Sequence, residues 1–407
     1  MDNKRIQTIF EETAYVRFSG TPEEHRCAAY LQDRCAELGL QTRLEPFSVE
    51  KGEIQQAELW CDGEAIPCTG YLFAAAGTVE APLYYLNNTD PWSMSQCKGK
   101  IVLSDKLMSY WHYQDLYTAG ALGFITYNGN ANFPDEDLEQ RELRTYVSQG
   151  KRIPGVHVHA KTAIRLVEQG VQTAKIVLQN TEYPGTSYNV IADLPGETEE
   201  TIVFTAHYDT TPLSVGIYDN MSGSVGLLML AEYFLTHPHR RSLRFIWCGS
   251  EERGLLGSKA YVAEHEADLE QTVLNINLDM IGCTMGKLLA CCTSEEKLVH
   301  YLSYFAQEVG VGLDAHQGVY SSDSTPLADK GIPAVSFARI APSNTFSIHS
   351  RYDTAALMKP EQLQTDMAFV AAFADRMANA CRCPVARVIP ENMQTKLDEY
   401  LNRKRPK

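Results

Sequence analysis

Residues 201–209 read Thr-Ile-Val-Phe-Thr-Ala-His-Tyr-Asp, an apolar run that stops abruptly at a histidine and an acid. The β-branched and aromatic residues at 201–206 predict a buried strand. His207 and Asp209 then stand directly after the carboxyl end of that strand. Further along the chain, three more predicted strands are followed in the same way by imidazole or carboxylate side chains.

Strands and helices alternate from about residue 187 to residue 380. Strands are predicted at 188–194, 201–206, 243–248, 273–278 and 332–338, and helices at 220–236, 255–264 and 361–380. This alternation predicts an α/β fold, with a mainly parallel mixed sheet sandwiched by helices.

Side chains with metal-ligand chemistry follow the strands of this predicted sheet. They are His207, Asp219, Glu251, Glu252, Asp279 and His349. Because ligands bind beyond the carboxyl ends of parallel strands, we expect these side chains to converge. Crowded acids raise one another's pKa values unless cations neutralise them. Imidazole with carboxylate suits zinc, with cobalt or manganese as substitutes, and so many acids favour two ions with a bridging carboxylate.

Individual roles within this set follow only partly from the residues themselves. Asp219 is our candidate for the bridge, because it lies in chain order between His207 and the other acids. Adjacent Glu251 and Glu252 cannot point the same way from an extended backbone, so one can bind metal while the other acts as general base. Asp209 is placed to accept the second N–H of His207. Each residue alone would suggest a cap or a turn, and only the joint pattern indicates a site.

Five stretches resemble those of co-catalytic zinc aminopeptidases of the aminopeptidase Y and bacterial leucyl aminopeptidase type. They are His207-Tyr208-Asp209, Asp219-Asn220, GSEERGLLGS at 249–258, NLDM at 277–280 and IHSRYDT at 348–354. The resemblance covers about residues 10–45 and 187–380. It implies the zinc-dependent exopeptidase fold and removal of N-terminal residues from peptides that have a free amino terminus.

The resemblance also implies a distribution of the metal ligands. One of two zinc ions would be held by His207 and Asp279, and the other by Glu252 and His349. Asp219 would bridge the two ions.

Further roles are implied around this pair. Glu251 would be the general base that activates a metal-bridging water, and the peptide bond between Asp219 and Asn220 would be cis. Some members of the family stabilise the oxyanion with a tyrosine directly before the last histidine. That position is Ile348 here, and Tyr320 is the candidate replacement.

A middle segment separates the two regions that resemble the peptidases. GKIVL at 99–103, AGALG at 119–123 and Ile153-Pro154 resemble an inserted, β-rich protease-associated domain. The expected organisation is a catalytic domain at 1–57 and 184–390, the insert at 58–183 and a polar C-terminal tail at 391–407, which we expect to be a solvated helix.

Composition limits the partners and the compartment. The formal net charge is −15, which disfavours nucleic acid and anionic membrane surfaces. Eleven cysteines without a CxxC pair, and an amino-terminal stretch without an apolar signal segment, favour the cytoplasm. The oligomeric state is not indicated by the sequence.

Other functions on the same scaffold remain open at this level. A glutamate-releasing carboxypeptidase or a glutaminyl cyclase would keep the same ligands, and an inactive binding protein would have lost some of them. A serine hydrolase is disfavoured because the chain has no Gly-x-Ser-x-Gly motif.

Overall fold

The computed structural model describes residues 1–133, 137–343 and 345–406, and the chain divides into two units. Unit 1 comprises residues 1–49 with 185–407, and unit 2 comprises residues 50–184. The boundary predicted from the sequence between the catalytic domain and the insert lies after residue 57. No turn marks the observed boundary, because a single strand runs from residue 42 to residue 61.

Helices and strands are numbered in chain order. The helices are α1 (Asn3–Glu12), α2 (Pro22–Glu37), α3 (Pro91–Ser95), α4 (Tyr110–Thr118), α5 (Thr145–Ser148), α6 (Ala160–Glu168), α7 (Ser222–Thr236), α8 (Leu256–Glu264), α9 (Glu296–Glu308), α10 (Ser324–Asp329), α11 (Pro360–Asn379) and α12 (Glu391–Tyr400). The strands are β1 (Thr42–Cys61), β2 (Glu64–Ile66), β3 (Thr69–Leu72), β4 (Gly77–Leu86), β5 (Ile101–Ser104), β6 (Gly123–Asn128), β7 (Arg141–Glu142), β8 (Gly155–His159), β9 (Thr173–Leu194), β10 (Thr198–His207), β11 (Arg241–Cys248), β12 (Thr272–Leu278), β13 (Lys287–Thr293), β14 (Asp314–Gln317) and β15 (Ala334–Ile340). Among the described residues, no helix has the length and apolar character needed to cross a bilayer.

Unit 1 is built on a mixed sheet with strand order β14-β13-β15-β12-β10-β11-β9. Strand β10 is parallel to both β11 and β12, and β12 is parallel to β15. Strand β13 runs antiparallel to β15, and residues 190–194 of β9 run antiparallel to β11. The predicted α/β class with a mainly parallel mixed sheet is confirmed. Because β10, β11, β12 and β15 are parallel, their carboxyl ends lie at one edge of the sheet.

Packing on this sheet holds the amino end of α7 close to the end of β12. Phe204 and Phe245 are register neighbours on β10 and β11, and their rings stack with centroids 4.9 Å apart. A Cβ atom at Gly223 would lie 2.4 Å from the carbonyl oxygen of Leu278. Only glycine therefore permits this approach, which brings the turn before α7 next to the residue that follows β12.

Elements of unit 1 that were not predicted include β13, β14, α9 and α10. The apolar run at 287–293 has strand character, and the acids that follow it, Glu295 and Glu296, belong to neither group of candidate metal ligands described below.

Unit 2 has a core of its own around parallel strands β4, β5, β6 and β8. His157 of strand β8 has a polar partner at each ring nitrogen. The ring nitrogens of His157 contact Thr126 Oγ1 at 2.7 Å and Asn128 Oδ1 at 2.9 Å, which indicates a structural role. The unit is rich in strands, and its assignment as a protease-associated domain stays a prediction.

The C-terminal tail is helical, as expected, but it is not simply solvated. Met393 and Leu397 of α12 are each only 1% exposed. They lie four residues apart and so form one apolar stripe on the helix. The expectation of a fully solvated helix is therefore wrong.

Candidate metal centre

Three of the predicted ligands lie at, or shortly after, the carboxyl ends of adjacent strands of unit 1. His207 is the last residue of β10, and Asp279 follows β12. Glu252 belongs to a 3-10 turn, Glu251–Arg253, that follows β11. The three side chains are all at most 9% exposed, so the sheet edge buries them.

The other two predicted ligands come from turns. Asp219 lies in the wide turn Ile217–Met221 before α7, and its peptide bond to Asn220 is cis, as the resemblance implied. His349 lies in the loop after β15, and its side chain is 44% exposed. His349 has φ 58°, and Ser250, directly before Glu251, has φ 56°. Left-handed backbone at non-glycine residues is costly and concentrates at functional sites.

The five side chains form two groups that share Asp219. One group is His207, Asp219 and Asp279, and the other is Asp219, Glu252 and His349; in each, the ligand atoms lie within 4.8 Å of one another. Asp219 Oδ1 is 3.1 Å from His207 Nε2, and Asp219 Oδ2 is 3.1 Å from His349 Nε2. Each carboxylate oxygen of Asp219 thus faces a different histidine, which is the arrangement a bridging ligand requires.

The spacing within each group fits zinc. Ligand atoms about 2.0–2.1 Å from a tetrahedral zinc ion are about 3.3 Å apart. Besides the two contacts of Asp219, His207 Nε2 is 3.6 Å from Asp279 Oδ1, and His349 Nε2 is 3.2 Å from Glu252 Oε1. Asp279 Oδ1 is buried and has no hydrogen-bond partner among the described residues. The residue set therefore fits a pair of zinc ions.

Charge dominates the titration of the two histidines. Burial lowers the pKa of His207, but Glu251, Asp209, Asp219 and Asp279 outweigh burial and raise it well above its ordinary value. Burial also lowers the pKa of His349, whereas Asp219 and Glu252 raise it, with a net value of about 11. Both rings thus lie in a strongly negative environment that attracts cations.

The acids respond to the same crowding. Burial raises the pKa of Asp219, but hydrogen bonds to His207 and His349 outweigh it and hold the pKa far below its ordinary value. Burial first, with the charge of Asp219 next, raises the pKa of Glu252 to about 7. Burial also raises the pKa of Glu251 well above its ordinary value. A bound cation would favour the ionised form of each acid.

Glu251 lies beside the two groups without belonging to either. Its Oε2 is 4.0 Å from His207 Nε2, farther than the 3.1 Å and 3.6 Å contacts of Asp219 and Asp279 with the same nitrogen. Its side chain is 10% exposed. The geometry leaves its carboxylate available for proton transfer next to the metal ligands.

Asp209 connects the histidine of β10 to the turn after β11. Its Oδ1 is 3.4 Å from Nδ1 of His207 and accepts the backbone N–H of Glu251 at 2.9 Å. Its Oδ2 accepts the backbone N–H of Glu252 at 3.2 Å. Asp209 is fully buried, so these contacts are shielded from water. One carboxylate therefore lies against the predicted ligand His207 and fixes the backbone of both glutamates.

Replacing Asp209 with asparagine is expected to weaken zinc binding or activity by about 10- to 100-fold, because partners that orient metal ligands contribute on this scale. Zinc titration by competition with a chelating dye, with initial rates on the same samples, measures both. Asp33→Asn, at an exposed position, removes the same charge as a control. Wild-type zinc affinity and rate in Asp209→Asn would contradict this role.

Asp353 belongs to the IHSRYDT motif at 348–354, but the motif did not indicate its contacts with the turn of Asp219. Its two oxygens accept the backbone N–H groups of Tyr218 at 2.7 Å and of Asp219 at 3.0 Å. Asp353 thus links the loop of His349 to the turn that carries Asp219. The only sequence signal was an acid four residues after a predicted ligand.

No sequence pattern indicated a role for Arg17 at this site. Its buried guanidinium donates to the carbonyl oxygens of Tyr208 at 2.6 Å, Val215 at 2.7 Å and Gly216 at 2.9 Å. These carbonyls belong to the loop between His207 and Asp219. A single side chain near the amino terminus therefore fixes the path of the chain between two predicted ligands.

Glu24 was also missed, and it supports the left-handed residue Ser250. Its Oε1 accepts the backbone N–H and the hydroxyl of Ser250, each at 3.1 Å, and the hydroxyl of Ser187 at 2.7 Å. Burial first, and the charge of Asp209 second, raise the pKa of Glu24 to about 8. These bonds compensate for the unfavourable backbone of the turn that presents the two glutamates.

Tyr320 lies near the backbone of the predicted ligand Asp279, because it packs with Ala338, and the carbonyl of the preceding Phe337 accepts the backbone N–H of Asp279 at 3.1 Å. Its ring packs with Leu289, Cys291 and Ala338, and its hydroxyl is buried without a hydrogen-bond partner among the described residues. Burial and then the charge of Asp279 raise the pKa of this phenol well above its ordinary value. The hydroxyl therefore remains protonated and available as a donor.

Comparisons with known proteins agree with this centre. Residues 189–374 match the model of Peptidase family M28. Aminopeptidase YwaD of Bacillus subtilis (strain 168) is 28% identical over 344 residues, which span 79% of this chain and 71% of that protein. The zinc aminopeptidase BSAP from Bacillus subtilis superimposes with a TM-score of 0.75 at 26% identity, covering 96% of this chain and 99% of that chain. An aminopeptidase from Aneurinibacillus sp. strain AM-1 gives a TM-score of 0.77 at 23% identity, covering 96% of each chain.

The matched family segment contains all five predicted ligands, Glu251 and Tyr320. The resemblance to zinc aminopeptidases that the motifs indicated is therefore confirmed. Fold, site chemistry and family match together define a metallopeptidase catalytic unit.

Proposed function

We propose that this protein is a zinc-dependent aminopeptidase, which hydrolyses the first peptide bond of peptides with a free amino terminus. The observation that carries the proposal is the position of Asp219, whose two oxygens face two different histidines at 3.1 Å. The relatives described as aminopeptidases support the reaction and the substrate class.

The residues around the centre suit peptide hydrolysis. His207 and Asp279 would hold one zinc ion, Glu252 and His349 the other, and Asp219 would bind both. Bound zinc would polarise the scissile carbonyl and promote deprotonation of water. Glu251 takes a proton from the attacking water and returns it to the leaving amine.

Tyr320 supplies a hydrogen bond to the oxygen of the scissile carbonyl as negative charge develops there. A buried, protonated hydroxyl that lacks a protein partner is free to donate to substrate. Ile348, which takes the place of the family's tyrosine before the last histidine, cannot donate. The Tyr320 hydroxyl thus performs from another segment the role expected at that position.

Replacing Tyr320 with phenylalanine is expected to lower kcat by about 10²–10³-fold with unchanged zinc content, the usual cost of losing one oxyanion donor. Steady-state kinetics with zinc analysis on each sample measures the effect. Tyr304→Phe, at a position 73% exposed, is the matched control. Loss of zinc from Tyr320→Phe, or a wild-type kcat, would remove Tyr320 from the mechanism.

The activity is tested with one peptide in three forms: free, N-acetylated and C-terminally amidated. An aminopeptidase releases the first residue from the free and amidated forms, and the acetyl group blocks it. Chelation abolishes release, and added zinc restores it. Cleavage from the carboxyl end would show a carboxypeptidase instead. Loss of ammonia from an N-terminal glutamine without peptide cleavage would show a glutaminyl cyclase.

We place this enzyme in a reducing compartment, the cytoplasm. All eleven cysteines carry free thiols, and eight of them are buried. Burial raises the pKa of several of these thiols, Cys35 and Cys61 to about 12, which keeps them unreactive. Cell fractionation with thiol labelling of the native protein tests this placement.

A further inference from the structure

The C-terminal helix α12 packs on the segment that carries Tyr320. This segment, residues 318–323, joins β14 to α10. Leu397 of α12 forms a small buried cluster with Ala328 of α10, and Val319 packs against this cluster. The neighbour of Tyr320 is therefore held by the C-terminal helix.

Contacts with α12 fall on alternate residues of this segment and the residue before it. Gln317 accepts a hydrogen bond from Nδ2 of Asn392 at 3.3 Å. The hydroxyl groups of Ser321 and Tyr400 are hydrogen-bonded at 2.7 Å. Together with Val319, these contacts place residues 317, 319 and 321 against the helix.

The intervening residues face the opposite way. A Cβ atom at Gly318 would lie 2.8 Å from Sγ of Cys291, the residue against which the ring of Tyr320 packs. Gly318 and Tyr320 therefore both lie against Cys291. Tyr320 thus lies on the side away from these α12 contacts and near the backbone of Asp279.

The far end of α12 is held as well. Arg403, just beyond the helix, donates from Nη1 and Nη2 to the two oxygens of Asp329, at 2.6 Å and 2.5 Å. Asp329 is the last residue of α10, and α10 begins directly after the segment of residues 318–323. This bidentate pair therefore fixes α12 to the element on the other side of Tyr320.

We propose that α12 is a positioning element for the active site. Its contacts with residues 317, 319 and 321 hold the chain so that Tyr320 reaches the reacting carbonyl. The proposal rests on the function proposed above. It assigns a catalytic consequence to a helix that contributes none of the candidate metal ligands. Leu397 and Tyr400 act on the reaction only through Tyr320.

A double-mutant cycle between Leu397→Ala and Tyr320→Phe tests this role. Leu397→Ala is expected to lower kcat about 10-fold with zinc content and KM little changed, because a small displacement of a donor weakens it at the transition state. In the Tyr320→Phe background, Leu397→Ala is expected to change kcat by less than about two-fold. Equal factors in the two backgrounds would overturn the proposal.

Two further variants separate positioning from loss of stability. Leu302→Ala, at a fully buried position in α9, creates a comparable cavity and is expected to leave kcat unchanged. Leu397→Met, which keeps the side-chain volume, is expected to restore kcat. Should Leu397→Ala fail to fold, Tyr400→Phe removes the hydroxyl group that is hydrogen-bonded to Ser321. The same cycle then applies, with a smaller expected loss of about two- to three-fold.

A readout without turnover separates failure of this proposal from failure of the proposed function. Fluorotyrosine at position 320 gives a ¹⁹F resonance that reports the environment of the phenol. In zinc-loaded protein, Leu397→Ala is expected to shift or broaden this resonance, and Leu302→Ala is expected to leave it unchanged. An unchanged resonance in Leu397→Ala would overturn the proposal even if the enzyme proved to be an active aminopeptidase. A changed resonance in a protein without peptidase activity would overturn the proposed function alone.

Discussion

Replacing Glu251 with glutamine is expected to lower kcat by about 10²–10⁴-fold while both zinc ions stay bound. The reason is the position of the side chain. Its Oε2 lies 4.0 Å from His207 Nε2, outside both groups of ligand atoms, so the amide preserves the ligands but cannot accept a proton. Zinc analysis and steady-state rates on the same preparation measure the two effects separately.

Glu264→Gln, at an exposed position, makes the same change of charge and shape away from the centre, and should behave as wild type. Glu251→Asp keeps the carboxylate on a shorter side chain and is expected to retain more activity than the amide. Near-normal turnover in Glu251→Gln would reject Glu251 as the general base. Loss of zinc in that variant would show instead that Glu251 is a ligand.

Replacing Asp219 with asparagine is expected to remove at least one zinc ion per chain and to lower activity by more than about 10³-fold. An amide offers only one oxygen, whereas the two oxygens of Asp219 face His207 and His349 at 3.1 Å each. A site that must join two ions then loses the shared ligand. Inductively coupled plasma analysis after dialysis counts the remaining ions.

Thermal unfolding gives an independent readout of the same change. A ligand present at about 1,000 times its Kd stabilises the folded state by about 4.1 kcal/mol. Zinc should therefore raise the Tm of the metal-free wild type substantially, and that of Asp219→Asn much less. Asp33→Asn should respond to zinc as the wild type does. An asparagine variant that retains two ions and full activity would show that Asp219 does not bridge.

The parallel sheet and the convergence of the candidate ligands could be predicted because both depend on local features of the sequence. The apolar run at 201–206 indicates a strand without knowledge of its neighbours, and His207 follows at its end. Parallel strands share an edge, so ligand residues at strand ends meet whatever the details of packing. This is why side chains as far apart in sequence as His207 and His349 could be expected at one place.

The supporting residues could not be predicted, because their roles depend on contacts across long stretches of sequence. Arg17 contacts Tyr208, 191 residues away, through backbone carbonyls that leave no mark in the sequence. Glu24 supports Ser250 over 226 residues. Leu397 is one of only two buried residues on a polar helix, a stripe too sparse to reveal its packing.

Anomalous diffraction at the zinc absorption edge, from crystals of the zinc-loaded protein, tests the central claim most directly. The account predicts two peaks per chain about 3.5–4 Å apart. One should lie within about 2.2 Å of His207 and Asp279, the other equally near Glu252 and His349, with an oxygen of Asp219 on each. A single peak, or two peaks away from Asp219, would contradict the account.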